Sequence, residues 1–408
     1  MGSILIRNIR ILYQTDDGTR TLVRGKEMQS VPFIENAWLL LDKGLIQAYG
    51  PMSTCPERAD EMIDATDRLV LPAFCDSHTH LVFAKSREEE FVMRIKGRSY
   101  EEIAASGGGI LNSARRLQET DASALLDSAL QRLEEIRSFG TGAVEIKSGY
   151  GLSLESELKI LRVVKELKEQ SNLLIRATFL GAHAIPIAYK QNREAYIRLV
   201  TDEMIPAVAA EGLADYCDVF CEQGFFTPEE TDRILEAGWK YQLKPRIHAN
   251  QLAVSGGVQA GVRNHAVSVD HLENITEAEI NCLLDSNTLP TALPSCSFFL
   301  NLPYAPGRAM IDAGLPLVLA SDYNPGSTPS GNIPFLLSLA CIKMRLTPEE
   351  AINAVTVNGA AAMEWSDRIG SIAPGKEARV IITRPMERID YLPYAFGGRH
   401  IERTILPS

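Results

Sequence analysis

The sequence predicts an α/β protein, a (β/α)8 TIM-like barrel with a small β-sandwich domain built from both termini. Two observations favour the barrel. Short β-branched runs alternate with longer amphipathic segments through the middle of the chain, and eight candidate strands can be counted there. One observation favours the second domain: both ends of the chain are composed of short strand-like runs separated by turns.

Eight segments are candidate barrel strands. They are Leu69–Asp76, Thr141–Lys147, Leu174–Leu180, Tyr216–Cys221, Pro245–Asn250, Val267–His271, Thr288–Leu293 and Leu315–Ser321. Candidate helices lie between them, among them Leu154–Gln170 and two that begin with a capping box, at Thr227–Glu230 and Thr347–Glu350. The predicted barrel therefore occupies residues 68–371.

The terminal segments do not follow this repeat. Candidate strands lie at Ile4–Ile11, Ala37–Asp42 and Leu45–Tyr49. Near the other end, a Pro-Gly turn at Pro374–Gly375 leads into a candidate strand at Arg379–Thr383. We therefore expect residues 1–67 and 372–408 to form one composite β-sandwich domain beside the barrel.

Composition excludes several classes of function. Lys and Arg number 41 against 52 Asp and Glu, a net charge of −11, and no run concentrates the basic residues, so we expect neither a nucleic-acid nor a membrane partner. Every apolar stretch is interrupted well before the roughly 20 residues that cross a bilayer. The seven cysteines include no CxxC pair and indicate buried thiols in a reducing compartment. We expect a cytoplasmic protein.

The sharpest chemical signal is the pair of histidines in His78-Thr79-His80, which follows the first candidate strand. Side chains in an extended segment alternate between two faces, so both imidazoles point the same way. A pair of this kind in an arbitrary protein is more often two solvated loop histidines. Here it lies at the C-terminal end of a barrel strand, where active sites of this fold are built.

Three further polar residues end candidate strands: His248 the fifth, His271 the sixth and Asp322 the eighth. Taken alone, each of these residues is more often a structural polar group that is hydrogen-bonded in the core or in a loop than part of a functional site. Their coincidence with His78 and His80 at one end of the same predicted barrel favours a shared site. Imidazoles and a carboxylate suit a divalent ion such as Zn²⁺ or Fe²⁺.

This pattern resembles the amidohydrolase superfamily, metal-dependent barrel hydrolases with HxH after strand one, His after strands five and six and Asp after strand eight. The chain is similar to one branch of that superfamily over essentially its full length. The segments that carry the similarity are Val144–Leu152, Phe179–His183, His248–Leu252, Val269–Glu273 and Ser321–Ser327. HxH by itself is weak evidence, whereas Glu-Ile-Lys-Ser-Gly-Tyr-Gly together with Asp-Tyr-Asn-Pro-Gly-Ser is highly specific.

The resemblance implies an activity and a partner. The activity is hydrolysis of the cyclic amide of 4-imidazolone-5-propanoate to N-formimidoyl-L-glutamate in histidine degradation, and the chain is expected to form a homodimer. A bound divalent metal lowers the pKa of its water from 15.7 towards about 7, which supplies hydroxide for attack on the ring carbonyl.

The resemblance also implies the ligands of one divalent transition metal per chain, Zn or Fe. These are His78, His80, His248 and Asp322. Asp322 also transfers the proton of the water to the leaving ring nitrogen, and His271 polarises the carbonyl. Whether His271 instead binds the metal stays open. A two-metal site bridged by a carboxylated lysine on strand four is not expected, because Tyr216–Cys221 contains no Lys.

Seven residues are implied as substrate contacts. They are Arg87, Tyr150, His183, Gln251, Asn324, Gly326 and Ser327. Arg87 and Tyr150 suit the propanoate group, since Arg binds a carboxylate through two donors; the alternative for Arg87 is pairing with the acidic run Glu88–Glu90. Some members of the branch carry Glu where this chain has Gln251, and because Gln cannot act as a general base, another group must do so.

Two other functions stay open. Another cyclic-amide hydrolase or aminohydrolase of the superfamily would have no use for Arg87 with Tyr150 if its substrate lacked a carboxylate. A catalytically silent binding protein on the same barrel would gain nothing from an open metal site. Turnover of the imidazolone compound separates these alternatives. His265 and His400 match no motif, and we expect both to be structural.

Overall fold

The computed structural model describes residues 2–98, 102 and 108–407. Two sheets organise these residues, one of eight parallel strands and one of seven strands. The predicted fold class, a (β/α)8 barrel with a second unit assembled from both termini, is confirmed.

The seven-stranded sheet joins the two ends of the chain. Its strands are β1 (Ile4–Tyr13), β2 (Phe33–Asp42), β3 (Leu45–Pro51), β4 (Glu61–Asp64), β5 (Leu69–Pro72), β14 (Val380–Thr383) and β15 (Ile401–Ile405). Hydrogen bonds connect them in the order β15-β14-β5-β1-β2-β3, with β4 on β1. The amide of Ile46 on β3 donates to the carbonyl of Lys376 at 2.8 Å, just before β14. The two ends of the sheet therefore meet and enclose one apolar core.

The eight-stranded sheet forms the barrel. Its strands are β6 (Phe74–Thr79), β7 (Thr141–Lys147), β8 (Leu174–Ala182), β9 (Tyr216–Cys221), β10 (Lys244–Ala249), β11 (Ser268–His271), β12 (Leu289–Ala292) and β13 (Val318–Leu319). Neighbours in sequence are neighbours in the sheet. Beyond β13, Tyr323 forms a parallel bridge with Thr79 and accepts the amide of His80 at 2.9 Å. The strands therefore form a ring, and their carboxyl ends meet at one mouth.

One candidate barrel strand is divided in the structure. The sequence predicts a single strand over Leu69–Asp76, whereas Leu69–Pro72 pairs with β1 and β14 of the terminal sheet and Phe74–Thr79 begins the barrel. Ala73, between the two, donates its amide to the carbonyl of Arg379 at 2.9 Å. Both halves of this run are buried, the first in the terminal sheet and the second in the barrel. Their hydrophobicity therefore does not reveal that the chain passes from one sheet to the other. The division of the chain at residues 67/68 and 371/372 stays a prediction.

Helices follow most of the barrel strands. They are α1 (Glu88–Ile95), α2 (Gly109–Gln118), α3 (Ala122–Ser138), α4 (Leu154–Gln170), α5 (Arg193–Arg198), α6 (Ile205–Ala210), α7 (Pro228–Lys240), α8 (Gly257–Arg263), α9 (Glu277–Leu284), α10 (Pro294–Leu300), α11 (Gly307–Ala313), α12 (Ile333–Met344), α13 (Pro348–Val355), α14 (Val357–Ala362) and α15 (Tyr391–Tyr394). The predicted capping boxes begin α7 and α13. Within the described ranges, each helix is too short or too polar to cross a membrane.

Candidate active site

Four histidines and one aspartate converge at the barrel mouth, and all five are buried. The Nε2 atoms of His80 and His248 lie 3.4 Å apart. Oδ1 of Asp322 lies 3.7 Å from Nε2 of both His78 and His80. The donor atoms of His78, His80 and Asp322 are close enough to bind one ion, and so are those of His78, His248 and His271.

Carboxylates orient three of these imidazoles through Nδ1. The pairs are His78 with Asp270 at 2.7 Å, His248 with Asp218 at 3.1 Å and His271 with Glu273 at 3.4 Å. Because an ionised carboxylate only accepts, each Nδ1 carries a proton, and Nε2 of a neutral imidazole held in this way keeps a lone pair. Burial lowers the pKa of His271, but Glu273, Asp322 and Asp270 outweigh it and raise this pKa, which favours a second proton on Nε2 of His271. Metal-binding histidines are held in this way in metalloproteins generally.

The chemistry of these donors fits a metal ion. Burial lowers the pKa of His78 and of His80 well below the ordinary value, and the neighbouring charges of Lys147 and His183 add to the effect. Both imidazoles are therefore neutral, the form in which histidine binds a metal. Among the described residues, the buried Nε2 of His78 has no hydrogen-bond partner. A metal ion bound among the neighbouring ligand atoms would give this buried nitrogen the partner that it lacks.

A buried ion-pair network lies behind the histidines. Nζ of Lys147 lies 2.8 Å from Asp218, 2.9 Å from Glu145 and 3.9 Å from Asp270. Burial by itself raises the pKa of Asp218, but His248 and Lys147 outweigh it and hold this pKa well below its usual range. Asp218 thus remains an ionised acceptor for His248. The sequence analysis gave none of these residues a role in the site, although charged side chains within otherwise apolar strands were a usable signal.

The backbone at two site residues is strained. His271 has φ = 90° and Asp322 has φ = 59°, conformations that cost a non-glycine residue about 1–3 kcal/mol each. Asp322 is held by its amide, which donates to the carbonyl of His78 at 3.0 Å. Ser321 is held by Asp76, which accepts the Ser321 amide at 2.9 Å and its hydroxyl at 2.6 Å. These bonds tie the eighth strand to the first.

A cavity of about 460 Å³ opens on the cluster. All seven predicted substrate residues line it, together with apolar side chains that include Phe220 and Leu302. A groove of about 1310 Å³ beside Ile401–Ile405 is larger, but none of the converging histidines lines it. The smaller cavity is therefore the candidate active site, because it is the one of the two that contains the potential metal ligands.

Arg87 enters this cavity just before α1. Its Nε donates to Oγ of Ser113 at 2.8 Å, and its guanidinium lies 5.6 Å from the centroid of the Tyr150 ring. In the part of the chain that the structure describes, its buried Nη2 has no hydrogen-bond partner, and Arg87 makes no ion pair with Glu88–Glu90. The alternative of a local acidic partner is therefore not observed, and the guanidinium has a donor available for an anion.

His183 stacks on His80, with 5.2 Å between ring centroids and 18° between planes. Its Nδ1 lies 2.9 Å from the carbonyl oxygen of Gly149, so Nδ1 donates there and Nε2 is an acceptor. Burial lowers the pKa of His183 to about 3, and His248 contributes to the shift. The imidazole is therefore neutral at physiological pH.

Asn324 holds the loop after β13. Its Nδ2 donates to the carbonyl of Asp322 at 2.7 Å and to Oγ of Ser327 at 2.5 Å, and its Oδ1 accepts the amides of Gly326 and Ser327 at 2.8 Å. These contacts use the full capacity of the side-chain amide. Ser327 in turn donates to Oδ2 of Asp322 at 2.9 Å. Asn324 lines the cavity, but its amide positions the loop around Asp322.

The sequence analysis missed a second guanidinium in the cavity wall. Arg94 lines the cavity, and its Nη2 donates to the carbonyl of Gly326 at 2.9 Å. Its Cζ lies 5.0 Å from the ring centroid of Phe299. Arg87 and Arg94 are seven positions apart, about two helical turns, so their placement on one face was a signal in the sequence.

Comparison with known proteins agrees with this geometry. Residues 69–398 match the model of the amidohydrolase family. The imidazolonepropionase of Flavobacterium johnsoniae is 54% identical over 403 residues, which cover 98% of each chain. That of Christiangramia forsetii is 52% identical over 405 residues, covering 99% of this chain and 98% of the relative.

The chain belongs to the amidohydrolase family, in the group of the imidazolonepropionases. The resemblance that the sequence motifs predict is confirmed. A crystal structure of a triazine hydrolase variant has the same fold, with a TM-score of 0.76 at 16% identity, and the match covers 99% of this chain and 93% of that one. The barrel with its terminal sheet thus recurs at low sequence identity.

Proposed function

We propose that this chain hydrolyses the cyclic amide of 4-imidazolone-5-propanoate to N-formimidoyl-L-glutamate in histidine degradation. One observation carries the proposal: a single cavity is lined both by the histidine and aspartate cluster and by Arg87, whose buried Nη2 has no hydrogen-bond partner among the described residues. A ring to be hydrolysed and an anionic tail to be bound need both features. The names of the relatives from Flavobacterium johnsoniae and Christiangramia forsetii support the same substrate.

One divalent transition metal, Zn²⁺ or Fe²⁺, would be held in this site by two pairs of ligands, His78 with His80 and His248 with Asp322. Imidazole nitrogen and carboxylate oxygen are ligands that both metals accept. When bound, the ion lowers the pKa of a coordinated water towards about 7. The convergence of the donor atoms and the carboxylates behind the imidazoles support this assignment.

Asp322 transfers the proton in this reaction, and His271 stabilises the negative charge that develops on the carbonyl oxygen. Asp322 accepts a proton from the attacking water and delivers it to the leaving ring nitrogen, a role that Gln251 cannot take because an amide does not act as a base. His271 polarises the ring carbonyl and stabilises the developing oxyanion, a contribution of about 3 to 4 kcal/mol in comparable sites. The strained backbone at both residues is a feature common at catalytic positions.

The remaining residues bind and orient the substrate. Arg87 and Tyr150 bind the propanoate group, and Nε2 of His183 accepts a hydrogen bond from the ring. The amide of Gln251 bonds a ring nitrogen. The loop that contains Asn324, Gly326 and Ser327 closes the cavity beside Asp322; its contribution is to fix that carboxylate and to present main-chain groups to the substrate.

A turnover assay tests the proposal. Protein loaded with Zn²⁺ or Fe²⁺ should remove the ultraviolet absorbance of freshly prepared 4-imidazolone-5-propanoate, with N-formimidoyl-L-glutamate identified by mass spectrometry. A hydantoin and a dihydropyrimidine serve as comparison substrates. Turnover of one of these without turnover of the imidazolone would assign the alternative, another cyclic-amide hydrolase. Full metal content with no turnover of any of them would reject hydrolysis of this class.

The proposal includes a cytoplasmic homodimer. The seven cysteines are free thiols, which is typical of proteins in a reducing compartment. Light scattering of the purified protein should give twice the mass of one chain. A mass equal to that of one chain would contradict the homodimer and leave the proposed reaction unaffected.

A further inference from the structure

A second group of metal-ligating side chains lies beside the first. His271, Glu273 and Cys296 offer one ligand atom each, and these atoms lie within 4.8 Å of one another. All three side chains are buried. His271 ends β11, Glu273 follows it by two residues, and Cys296 lies in α10. The proposed hydrolysis uses His271 alone of the three.

Glu273 has an unused ligand atom. Its Oε1 lies 3.4 Å from Nδ1 of His271 and accepts Oγ of Ser297 at 3.4 Å. Among the described residues, its buried Oε2 has no hydrogen-bond partner, and the residue as a whole is only 5% exposed. Such an orphaned acceptor costs about 1–3 kcal/mol, or more for a charged group. A cation bound between Glu273 and its neighbours would remove that cost.

Cys296 supplies a sulfur ligand at the same place. Its Sγ accepts Nε2 of Gln251 at 3.5 Å, and Gln251 lines the cavity. A metal that binds sulfur would displace the proton of this thiol.

We propose that His271, Glu273 and Cys296 form a second metal site, suited to a divalent ion with affinity for sulfur such as Zn²⁺, next to the catalytic cluster. Nitrogen, carboxylate oxygen and thiolate sulfur are the ligands that Zn²⁺ takes in proteins. On binding, the S–H bond of Cys296 breaks, its proton passes to solvent and a metal–sulfur bond forms. The proton on Nδ1 of His271 also passes to solvent while Nε2 keeps its proton, which leaves Nδ1 to bind the ion.

The second site and the catalytic cluster are linked through His271. A proton on Nε2 removes the lone pair that this nitrogen would otherwise direct at His78 and His248. Occupation of the second site therefore excludes His271 from the first and leaves the other three histidines and Asp322 to hold the catalytic ion. This inference does not depend on the substrate, and its test contains none.

Cobalt is the probe, since Co²⁺ replaces Zn²⁺ at many sites and has a distinctive absorption spectrum. Cobalt bound to thiolate gives an intense charge-transfer band in the near ultraviolet, whereas cobalt bound by histidine and aspartate gives only weak visible bands. Titration of the metal-free protein should show two equivalents of Co²⁺, of which one produces the charge-transfer band. Equilibrium dialysis against Zn²⁺ should also give two equivalents.

Substitutions at Cys296, Cys282 and Glu273 assign the band. Cys296→Ser should bind one equivalent and lose the band, while Cys282→Ser, which changes a thiol outside the cluster, should keep both equivalents and the band. Glu273→Gln should weaken the equivalent that produces the band about tenfold or more, the range seen when a ligand's environment is altered. Cys296→Ala is a second variant, and an unchanged thermal midpoint in either Cys296 variant shows that the fold is intact.

Two results would overturn the proposal. One is binding of a single equivalent of Co²⁺ without a charge-transfer band in the unmodified protein. The other is a band that persists in Cys296→Ser, which would assign the thiolate to another cysteine. Neither result bears on the hydrolysis, which is decided by the turnover assay.

Discussion

Glu157 holds the loop of Tyr150 through the backbone amide of Gly151, which donates to its Oε1 across 2.8 Å. The amides of Gly149 and Leu152 donate to the same carboxylate at 2.9 Å and 2.8 Å. Glu157 is fully buried in α4. One carboxylate thus accepts hydrogen bonds from three main-chain amides of the loop that carries the phenol of Tyr150 to the cavity.

Replacement of Glu157 by Ala should therefore raise KM about tenfold or more with a smaller change in kcat, because hydrogen bonds to a charged group contribute about 1.5–3 kcal/mol each. The free energy of unfolding, measured in urea, should also fall. Glu155→Ala is the matched control, since Glu155 is exposed in the first turn of the same helix. An unchanged KM in Glu157→Ala would show that the loop does not depend on this carboxylate.

Arg87→Ala should raise KM for the imidazolone substrate about tenfold to a hundredfold and leave the metal content unchanged. The reason is that Arg87 is proposed to bind the propanoate, and a charge-assisted contact contributes about 1.5–3 kcal/mol. Steady-state kinetics and elemental analysis are the measurements. Arg87→Lys keeps the charge but loses the two-donor geometry, so an intermediate KM is expected. Kinetics equal to those of the unmodified protein would remove Arg87 from the substrate site.

His248→Ala should abolish tight metal binding at the catalytic cluster, because its Nε2 lies 3.4 Å from that of His80 at the point where the ligands converge. Co²⁺ bound without the charge-transfer band should fall from about one equivalent per chain to near zero after dialysis, and activity should fall with it. His265→Ala is the control, since His265 lies outside the cluster. Retention of full metal content in His248→Ala would refute the ligand assignment.

Asp218→Asn should weaken metal binding about tenfold to a hundredfold, the range for a residue that orients a metal-binding histidine. It should also cost about 3–5 kcal/mol of stability, because Lys147 would keep a buried charge without this partner. Competition with a chelator and urea denaturation measure the two effects. Lys147→Met with Asp218→Asn should recover part of the stability without the metal affinity. Unaltered metal affinity in Asp218→Asn would show that the contact with His248 does not support the site.

Asp215 should make stability depend on acid pH. Its carboxylate contacts Lys168, the amide of Ala177 and Arg176 at 3.2, 2.9 and 2.8 Å. Burial raises the pKa of Asp215, but these groups outweigh it, and the folded-state pKa lies below the ordinary value. A depressed folded pKa contributes stability above the unfolded pKa of about 3.9, and this contribution is lost as pH falls through the folded value.

Asp215→Asn should accordingly be less stable than the unmodified protein at pH 7, and the difference should shrink as pH falls below about 4. Urea denaturation across this range measures it. Asp127→Asn, which changes an exposed carboxylate, should show no such trend. A difference that is the same at every pH would assign the effect of Asp215 to packing.

Strand positions were largely predictable because their signal is local. Thr141–Lys147 and Tyr216–Cys221 have the same bounds in the sequence analysis and in the structure, since each is a short apolar run between helical segments. Leu69–Pro72 was misassigned because both sheets bury apolar side chains equally. Glu61–Asp64 and Ile401–Ile405 carry several charged side chains and escaped notice as strands.

The converging residues were predictable for a related reason. The positions of His78, His248 and Asp322 follow from the end of each strand, and strand ends can be read along the chain. Their partners Asp218 and Asp270 lie within strands, where polar residues are exceptions to the apolar pattern. Which of them meets which histidine depends on the order and spacing of strands around the ring.

The amino-acid sequence by itself determined the strand and helix order, the end of the barrel that carries polar chemistry and the family, because side-chain periodicity and contiguous motifs are local properties. Only the tertiary structure decided that Nε2 of His80 and Nε2 of His248, 168 positions apart, lie 3.4 Å from each other. It also decided which carboxylate faces Nδ1 of His78, His248 and His271. Such distances arise when the ring of strands closes, and closure depends on packing between residues remote in the chain.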